Sequence, residues 1–312
     1  MPSDLILRGV VPIIPTPFTR DEAIDFEALA RCVRFAAAGG LGAACLPAYA
    51  SEFYKLSDNE RRQVVEAAVR AADGKMAIVA QANHPAARHA AELARQYESL
   101  GAGLISFALP RIFPLKESDL LNYAATVCRG TSLPVLIQDF NPGGPTVGRD
   151  FAQRLADDCP NFRYLKLEEP LMGAKVRSIV EGTQGRVGVL EGWGGMYLLD
   201  LIPSGICGLM PGLGIADQLA RVWEAARAGR DHEAAEIFGV LLPQIVFSLQ
   251  HSELFNWVEK RLLAARGILP EGSTFVRRAT WTPDEETLRH GDGLNQAVVD
   301  LARRLIGKSS VP

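Results

Sequence analysis

The chain has 312 residues, 48% of them hydrophobic, which is enough to bury a full core as one large domain or two ordinary ones. Its formal net charge is −3 and its basic residues are spread along the chain, so nucleic-acid binding is excluded and a small-molecule partner is favoured. No apolar stretch reaches the roughly 18 to 20 residues of a membrane span. No signal peptide is recognisable, and we expect a cytoplasmic protein with no membrane partner.

The five cysteines are isolated and the five histidines are scattered. No CxxC pair, HExxH motif or other metal-ligand spacing is present, so we expect buried free thiols and no metal. Glycine-rich loops of the GxGxxG or GxxxxGK[ST] type are also missing, which argues against a nucleotide. We therefore expect an activity that needs no cofactor.

Short apolar runs alternate with amphipathic stretches through the first two thirds of the chain, which is typical of consecutive βα units. Most of these runs are continuously apolar, as expected of parallel strands that are buried on both faces. Strands are predicted at residues 9–15, 43–48, 75–81, 103–109, 134–139, 162–167, 187–192 and 206–211.

The stretches between these strands have apolar residues three and four positions apart and end in glycine, which predicts crossover helices. Such units without a linker fit a closed (β/α)8 TIM barrel better than two doubly wound domains. From about Ala216 the strand pattern stops and long amphipathic stretches follow. We predict an α/β fold with a barrel over residues 1–215 and, over 216–312, a C-terminal helical extension that packs on the barrel.

Active sites of such barrels lie at the carboxyl ends of the strands, so polar residues at those ends are the first candidates. Lys166 is the most informative, because it interrupts the apolar strand FRYLKL, which should be buried. Most lysines are solvated surface charges, but a buried ammonium needs a partner or gives up its proton. A neutral amine can attack a ketone to form a Schiff base, whose iminium withdraws electrons from the adjacent carbons.

Five segments resemble, in order and spacing, the dihydrodipicolinate synthase / N-acetylneuraminate lyase superfamily: VVPIIPTPF, SEFYKLSDNER, PVLIQDFNP, FRYLKLEEP and SGICGLMPG. The match runs from about Ile6 to Leu269. The second segment is similar to the family's GEFxxLSxxER, and Lys166 occurs where the family has its Schiff-base lysine. The resemblance implies a lyase that binds a 2-oxo acid covalently and assembles as a homo-oligomer, usually a homotetramer.

The loop after strand 2 departs from the family pattern. The family's GTTGE, whose hydroxyls and amides bind the substrate carboxylate, is replaced here by AYASE. The resemblance then implies that Ser51 and the amides near Tyr49 and Ala50 bind this carboxylate. Glu52 completes the predicted loop. Alternatively, Ser51 is only a turn serine or a helix cap.

Strand 5 departs from the family as well. Typical members have a proton-shuttling tyrosine in YNxP and an arginine after it, whereas this chain has QDFNPGGP. We align Asp139 with the tyrosine, so that its carboxylate would act as a general acid or base beside the iminium. Alternatively, Asp139 caps the turn that follows. True dihydrodipicolinate synthase activity is not supported by this segment.

Three further polar candidates have two interpretations each. Arg111 pairs a second carboxylate of the substrate, or it is an interface or surface arginine. His84 binds a sugar hydroxyl or transfers a proton, or it is a loop histidine without a function. Glu168 shares the strand face of Lys166 if the strand continues, where it would orient Lys166 or a water.

The last candidates follow strand 7 or lie in strand 8. Trp193 and Gly192 form an apolar wall with a close backbone approach, or only the turn into the next helix. The resemblance of SGICGLMPG to the family implies that Gly208 and Met210 contact the substrate.

The sequence is compatible with three functions. The QD end of strand 5, the SE loop and the KxE of strand 6 resemble the sugar-acid dehydratase branch of the superfamily, especially 2-keto-3-deoxy-L-arabonate dehydratases. This implies loss of water from a 2-keto-3-deoxy sugar acid. An aldolase or retro-aldolase that uses or releases pyruvate would need Lys166 too. The changes in the strand-2 and strand-5 motifs suggest, as a third hypothesis, a non-catalytic barrel that binds 2-oxo acids.

Overall fold

Strands and helices alternate along the chain in the computed structural model, which describes residues 6–141, 144–278 and 281–309, without the side chains of 306–309. The strands are β1 (Gly9–Val10), β2 (Ala43–Leu46), β3 (Ala77–Gln81), β4 (Leu104–Ala108), β5 (Val135–Asp139), β6 (Phe162–Leu167), β7 (Gly188–Glu191) and β8 (Gly208–Leu209). Each of them falls within a predicted strand segment.

The strands form one parallel sheet in the order β1-β8-β7-β6-β5-β4-β3-β2. Ile13, just beyond β1, forms parallel bridges to both Cys45 and Gly212. The bridge to Cys45 closes the sheet between its two end strands, and the bridge to Gly212 extends the pairing of β1 with β8. The prediction of a (β/α)8 TIM barrel is therefore confirmed.

Helices follow the strands, and several more complete the chain. They are α1 (Phe26–Ala38), α2 (Asp58–Ala72), α3 (Ala87–Ser99), α4 (Glu117–Cys128), α5 (Arg149–Asp158), α6 (Gly173–Gly182), α7 (Leu198–Leu201), α8 (Ala216–Arg227), α9 (Asp231–Ser248), α10 (Ser252–Ala265) and α11 (Glu285–Ser309). No helix in the described part of the chain is both long and apolar enough to cross a membrane.

Local sequence explains where the first helices begin. The Asp25 carboxylate accepts a hydrogen bond from the Ala28 amide at 3.0 Å and caps α1. Ser57 and Glu60 form a reciprocal capping box at the start of α2. Such caps satisfy backbone donors that have no partner within the helix.

Two apolar layers hold the barrel. The inner layer fills the barrel below the carboxyl ends of the strands and includes Val11, Cys45, Val79, Leu104, Leu136 and Leu190. The outer layer packs the strands on the surrounding helices and includes Val33, Val65, Ile105, Phe107 and Ile137. The interior of the barrel is therefore a packed core, as is usual for this fold.

The C-terminal helices pack around one side of the barrel. Helix α8 contacts β1 and α9, and α11 contacts α9 and α10. Helix α10 also contacts the turn at 49–51 after β2 and the turn at 213–215 after β8. The extension thus reaches the end of the barrel where the site is expected, while the domain division at residue 215 stays a prediction.

Candidate active site

A cavity of about 370 Å³ opens at the carboxyl ends of the strands. Its volume is in the range of sites for small molecules. The cavity is lined by seven of the predicted site residues: Tyr49, Ala50, Lys166, Glu168, Gly192, Trp193 and Met210. Residues from both halves of the barrel therefore meet here, although they lie far apart in the chain.

Lys166 and Glu168 form an ion pair in this cavity. The Lys166 side chain is 8% exposed, and its Nζ lies 3.0 Å from Oε1 of Glu168. The two residues share a face because side chains alternate along an extended chain. The ammonium thus has a partner, and a carboxylate lies beside the expected nucleophile.

Two buried amides hold Glu168 in place. The Gln138 side chain donates from Nε2 to Oε1 of Glu168 at 2.5 Å. Gln81, from β3, donates in turn from Nε2 to Oε1 of Gln138 at 2.6 Å. This chain of bonds orients the Gln138 amide, so that Glu168 accepts from an amide and pairs with Lys166 at the same time.

Asp139 lies on the other face of β5, which corrects its predicted placement beside Lys166. Gln138 is the register partner of Lys166, and the next side chain along the strand must point away from the barrel interior. The Asp139 carboxylate is fully buried and accepts from the Val147 amide at 2.7 Å. Gln138 therefore occupies the position that we assigned to Asp139.

Arg111 is bound to Asp139 and does not line the cavity. Its Nε and Nη2 donate to the two Asp139 carboxylate oxygens at 2.8 and 2.6 Å. This bidentate pair joins the segment after β4 to the end of β5 and uses the geometry in which arginine binds carboxylates best. This part-buried pair fits neither a substrate carboxylate nor a solvated surface arginine as the partner or position of Arg111, and the interface role stays a prediction.

The family model of the dihydrodipicolinate synthetase family matches residues 6–272. The chain belongs to this family. It is a lyase, as the resemblance implied, and the hypothesis of a non-catalytic barrel is not supported.

Curated relatives of this family member cover much of the chain. An L-2-keto-3-deoxyarabonate dehydratase from Azospirillum brasilense is 25% identical over 302 residues, which are 96% of this chain and 94% of the relative. A 4-hydroxy-tetrahydrodipicolinate synthase from Chlorobium limicola is 28% identical over 75% of this chain and 80% of its own.

Solved structures of the family have the same fold. The dihydrodipicolinate synthase of Rhodopseudomonas palustris superposes with a TM-score of 0.85 at 23% identity and covers 93% of this chain and 97% of its own. YagE, a prophage protein of the family from E. coli K12 solved with pyruvate, has a TM-score of 0.85 at 23% identity, over 94% and 99% of the two chains. At these identities the likeness shows the fold alone.

In this family member the turn after β2 is held against the segment after β1. The Ser51 hydroxyl is fully buried and donates to the Ile14 carbonyl at 2.6 Å. The Thr16 hydroxyl donates to the Ser51 carbonyl at 2.7 Å. The predicted contact of the Ser51 hydroxyl with a substrate carboxylate is thus corrected, because this hydroxyl bonds the backbone while the two preceding residues line the cavity.

Glu52 lies beside this turn but faces a buried ion network. It has the left-handed φ of 60° and pairs with Lys55 at 2.7 Å and with Lys260 of α10. Lys55 also pairs with Glu253 at 2.6 Å. Burial lowers the pKa of Lys260, and the Glu52 charge opposes this shift. Glu52 therefore does not line the cavity as predicted; it clamps the turn onto α10.

His84 and Gly208 have structural surroundings outside the cavity. The His84 Nδ1 accepts from the Ala86 amide at 3.0 Å, and its ring lies 4.2 Å from that of His89. A Cβ added to Gly208 would lie 2.2 Å from the Gly9 carbonyl oxygen, so this glycine permits β1 and β8 to pair. Both predicted substrate contacts are corrected.

The loop after β7 is held by a buried carboxyl. Glu191 accepts from the amides of Trp193 and Gly195 at 3.0 and 2.7 Å. Burial raises the pKa of Glu191 to about 7, and the bond from Gly195 opposes this shift. A Cβ on Gly192 would lie 2.4 Å from Cγ of Glu168, so only glycine leaves room for that side chain.

Sequence reasoning missed several cavity residues. Gln138 precedes Asp139 directly, and strand alternation could have identified it only if the register with β6 had been known. Phe140 and the residues 249–252 between α9 and α10 also line the cavity. No local pattern marks the latter, because they reach the cavity only when the C-terminal helices fold over the barrel.

Proposed function

We propose that this chain dehydrates a 2-keto-3-deoxy sugar acid through a Schiff base on Lys166. The observation that supports this most is the 3.0 Å pair of Lys166 and Glu168 in the cavity, where Gln138 donates a hydrogen bond to Glu168. The similarity to an L-2-keto-3-deoxyarabonate dehydratase over 96% of the chain agrees with this activity.

The substrate carboxylate would bind at the turn after β2. Tyr49 and Ala50 begin this turn and line the cavity together with Lys166. Backbone amides at the start of such a turn have no acceptor within it and are suited to bind an anion. The carbonyl carbon next to the carboxylate would then lie within reach of the Lys166 amine.

The reaction begins with proton transfer within the ion pair. Glu168 takes a proton from the Lys166 ammonium, and the neutral amine attacks the C2 carbonyl. The carbinolamine hydroxyl takes this proton back from Glu168 and leaves as water, which gives the iminium and restores the Glu168 carboxylate. The iminium acidifies the hydrogens at C3. No separate cofactor is needed in this proposal, because the iminium accepts the electrons.

Elimination follows from the enamine. The Glu168 carboxylate removes a C3 proton, which gives the enamine. The enamine then expels the C4 hydroxyl, which takes a proton from the Glu168 carboxyl and leaves as water. The hydrogen bond from Gln138 orients this carboxyl. Hydrolysis of the conjugated iminium returns the amine, so the net change is loss of one water with all carbons retained.

Borohydride trapping with mass detection tests the Schiff base. We expect pyruvate or 2-keto-3-deoxy-L-arabonate to label the wild type at Lys166, and Lys166→Ala to be unlabelled. Lys75→Ala, which changes a lysine that is 73% exposed, should label as the wild type does. Absence of an adduct with every 2-oxo acid offered would refute the mechanism.

Product analysis separates dehydration from carbon–carbon cleavage. A dehydratase converts the sugar acid into a product that is lighter by one water. A retro-aldolase of the same fold would release pyruvate and an aldehyde instead. Detection of pyruvate as the main product would therefore replace the proposed reaction while leaving the role of Lys166 intact.

A further inference from the structure

The turn between α9 and α10 forms a polar part of the cavity wall that the proposed chemistry does not use. Gln250, His251 and Ser252 line the cavity there, on a segment that belongs to the C-terminal helices. The reacting groups, Lys166 and Glu168, come from the barrel. The cavity therefore has a reactive part and a separate hydrogen-bonding part.

Two contacts orient the ring of His251. Its Nδ1 accepts from the Glu253 amide at 3.1 Å and thereby caps α10. Its ring also packs on Trp281, with ring centroids 4.7 Å apart. A ring nitrogen that accepts a hydrogen bond has no proton, so the N–H of this ring is on Nε2. His251 thus offers a fixed N–H donor for a ligand oxygen.

The charges around the cavity indicate which oxygen this is. Among the described residues that line it, Lys166 is the only lysine or arginine, and it is committed to the Schiff base. Arg111 is bound to Asp139 outside the cavity. A second substrate carboxylate would therefore lack a cationic partner, whereas hydroxyl groups could bond to neutral amide, imidazole and hydroxyl side chains.

We propose that Gln250, His251 and Ser252 bind the hydroxylated end of the substrate, with the His251 Nε2–H as the main donor. This inference rests on the proposed Schiff-base function and specifies its substrate class. The substrate is a 2-oxo acid with one carboxylate and a polyhydroxylated tail, and His251 is a specificity-determining residue.

Two substitutions separate substrate binding from helix capping. His251→Asn keeps an acceptor near the Nδ1 position and a good N-cap, but it loses the donor at Nε2. His251→Gln places an amide donor near the Nε2 position and loses the cap. His290→Ala is the matched control, since His290 also packs on an aromatic ring, that of Phe247, but does not line the cavity.

The measurement is the concentration of 2-oxo acid that gives half-maximal borohydride trapping. For 2-keto-3-deoxy-L-arabonate, we expect this concentration to rise about fivefold to tenfold in His251→Asn, which corresponds to one neutral hydrogen bond. It should stay near the wild-type value in His251→Gln and His290→Ala. Pyruvate has no hydroxylated tail, so its value should be the same in all four proteins.

Other outcomes overturn the inference in distinguishable ways. Equal values for the sugar acid in the wild type and His251→Asn, with normal trapping of pyruvate, would refute the role of the turn alone. Tighter trapping of 2-oxoglutarate than of the sugar acid would show that the tail site prefers a carboxylate. If the wild type traps neither pyruvate nor the sugar acid, the proposed function fails and this inference fails with it.

Discussion

Glu168 is the side chain on which the proposed proton transfers depend. It lies 3.0 Å from the Lys166 Nζ and accepts a hydrogen bond from Gln138 at 2.5 Å. A carboxylate in this position can serve first as a base and then as an acid, since the proton that it removes from C3 is returned to the departing hydroxyl. No other carboxylate among the described residues lines the cavity.

Glu168→Gln should separate Schiff-base formation from turnover. The amide keeps the size of the side chain but cannot take a proton, so we expect dehydration to fall by about 100-fold or more. Pyruvate should still label Lys166 under borohydride, but only on long incubation, because solvent must then take the ammonium proton that Glu168 takes in the wild type. Product formation and adduct mass are the two measurements. Glu169→Gln is the matched control, because Glu169 pairs with Lys175 and does not line the cavity. Unchanged turnover in Glu168→Gln would assign the proton transfers to another group.

At the scale of elements, the Arg111–Asp139 pair joins the segment after β4 to the end of β5. Asp139 is fully buried, and its carboxylate also accepts from the Val147 amide. Such a pair contributes little net stability by itself, but removal of one partner leaves the other buried without its counter-charge. The pair thus holds the two segments at a fixed distance behind Gln138.

Arg111→Met should lower the free energy of unfolding by roughly 2 to 4 kcal/mol, because the buried Asp139 charge then lacks its partner. Urea unfolding measures this change.

Asp139→Asn should keep dehydration within about fivefold of the wild type, since the residue lies outside the cavity. A loss of more than 100-fold at unchanged stability would restore Asp139 as the proton shuttle.

At the scale of the whole molecule, α10 connects the C-terminal helices to the end of the barrel. Lys260 binds the turn after β2 through Glu52, and Glu259 accepts from the Gly214 amide after β8 at 2.7 Å. The helix therefore holds both sides of the cavity mouth and positions His251 at its own N-terminus. The cytoplasmic location and the homo-oligomer stay predictions.

Glu259 should make the stability of the fold depend on pH. Burial raises its pKa to about 7, and the bond from Gly214 opposes this shift. Because the folded state keeps the proton that the unfolded chain releases near its ordinary pKa of 4.5, the stability conferred by the neutral carboxyl is lost as pH rises towards 7. The wild type should therefore lose stability from pH 5 to pH 7, whereas Glu259→Gln should not. The free energy of unfolding of Glu259→Gln minus that of the wild type should rise by roughly 1 to 3 kcal/mol over this range.

Urea unfolding of the two proteins at pH 5 and at pH 7 checks this expectation. Glu285→Gln, at an exposed position, is the control and should follow the wild type at both pH values. A constant difference between Glu259→Gln and the wild type would mean that Glu259 ionises alike in the folded and unfolded chains.

The sequence by itself determined the barrel and singled out Lys166 as the proposed nucleophile. Eight apolar runs at βα spacing predicted every strand, because strands buried on both faces must be apolar along their whole length. Lys166 was conspicuous for the same reason, since it interrupts such a run. The i, i+2 spacing also predicted that Glu168 shares its face, because side-chain alternation is a local property of the chain.

Only the tertiary structure decided which polar neighbours reach the cavity. The register of β5 against β6 turned Gln138 inward and Asp139 outward, and a slip of one residue would have reversed them. The hydroxyl of Ser51 and the fork of Arg111 found partners that lie far away in sequence. His251 reaches the cavity because α9 and α10 fold over the barrel, which depends on long-range packing and leaves no periodic pattern in the residues themselves.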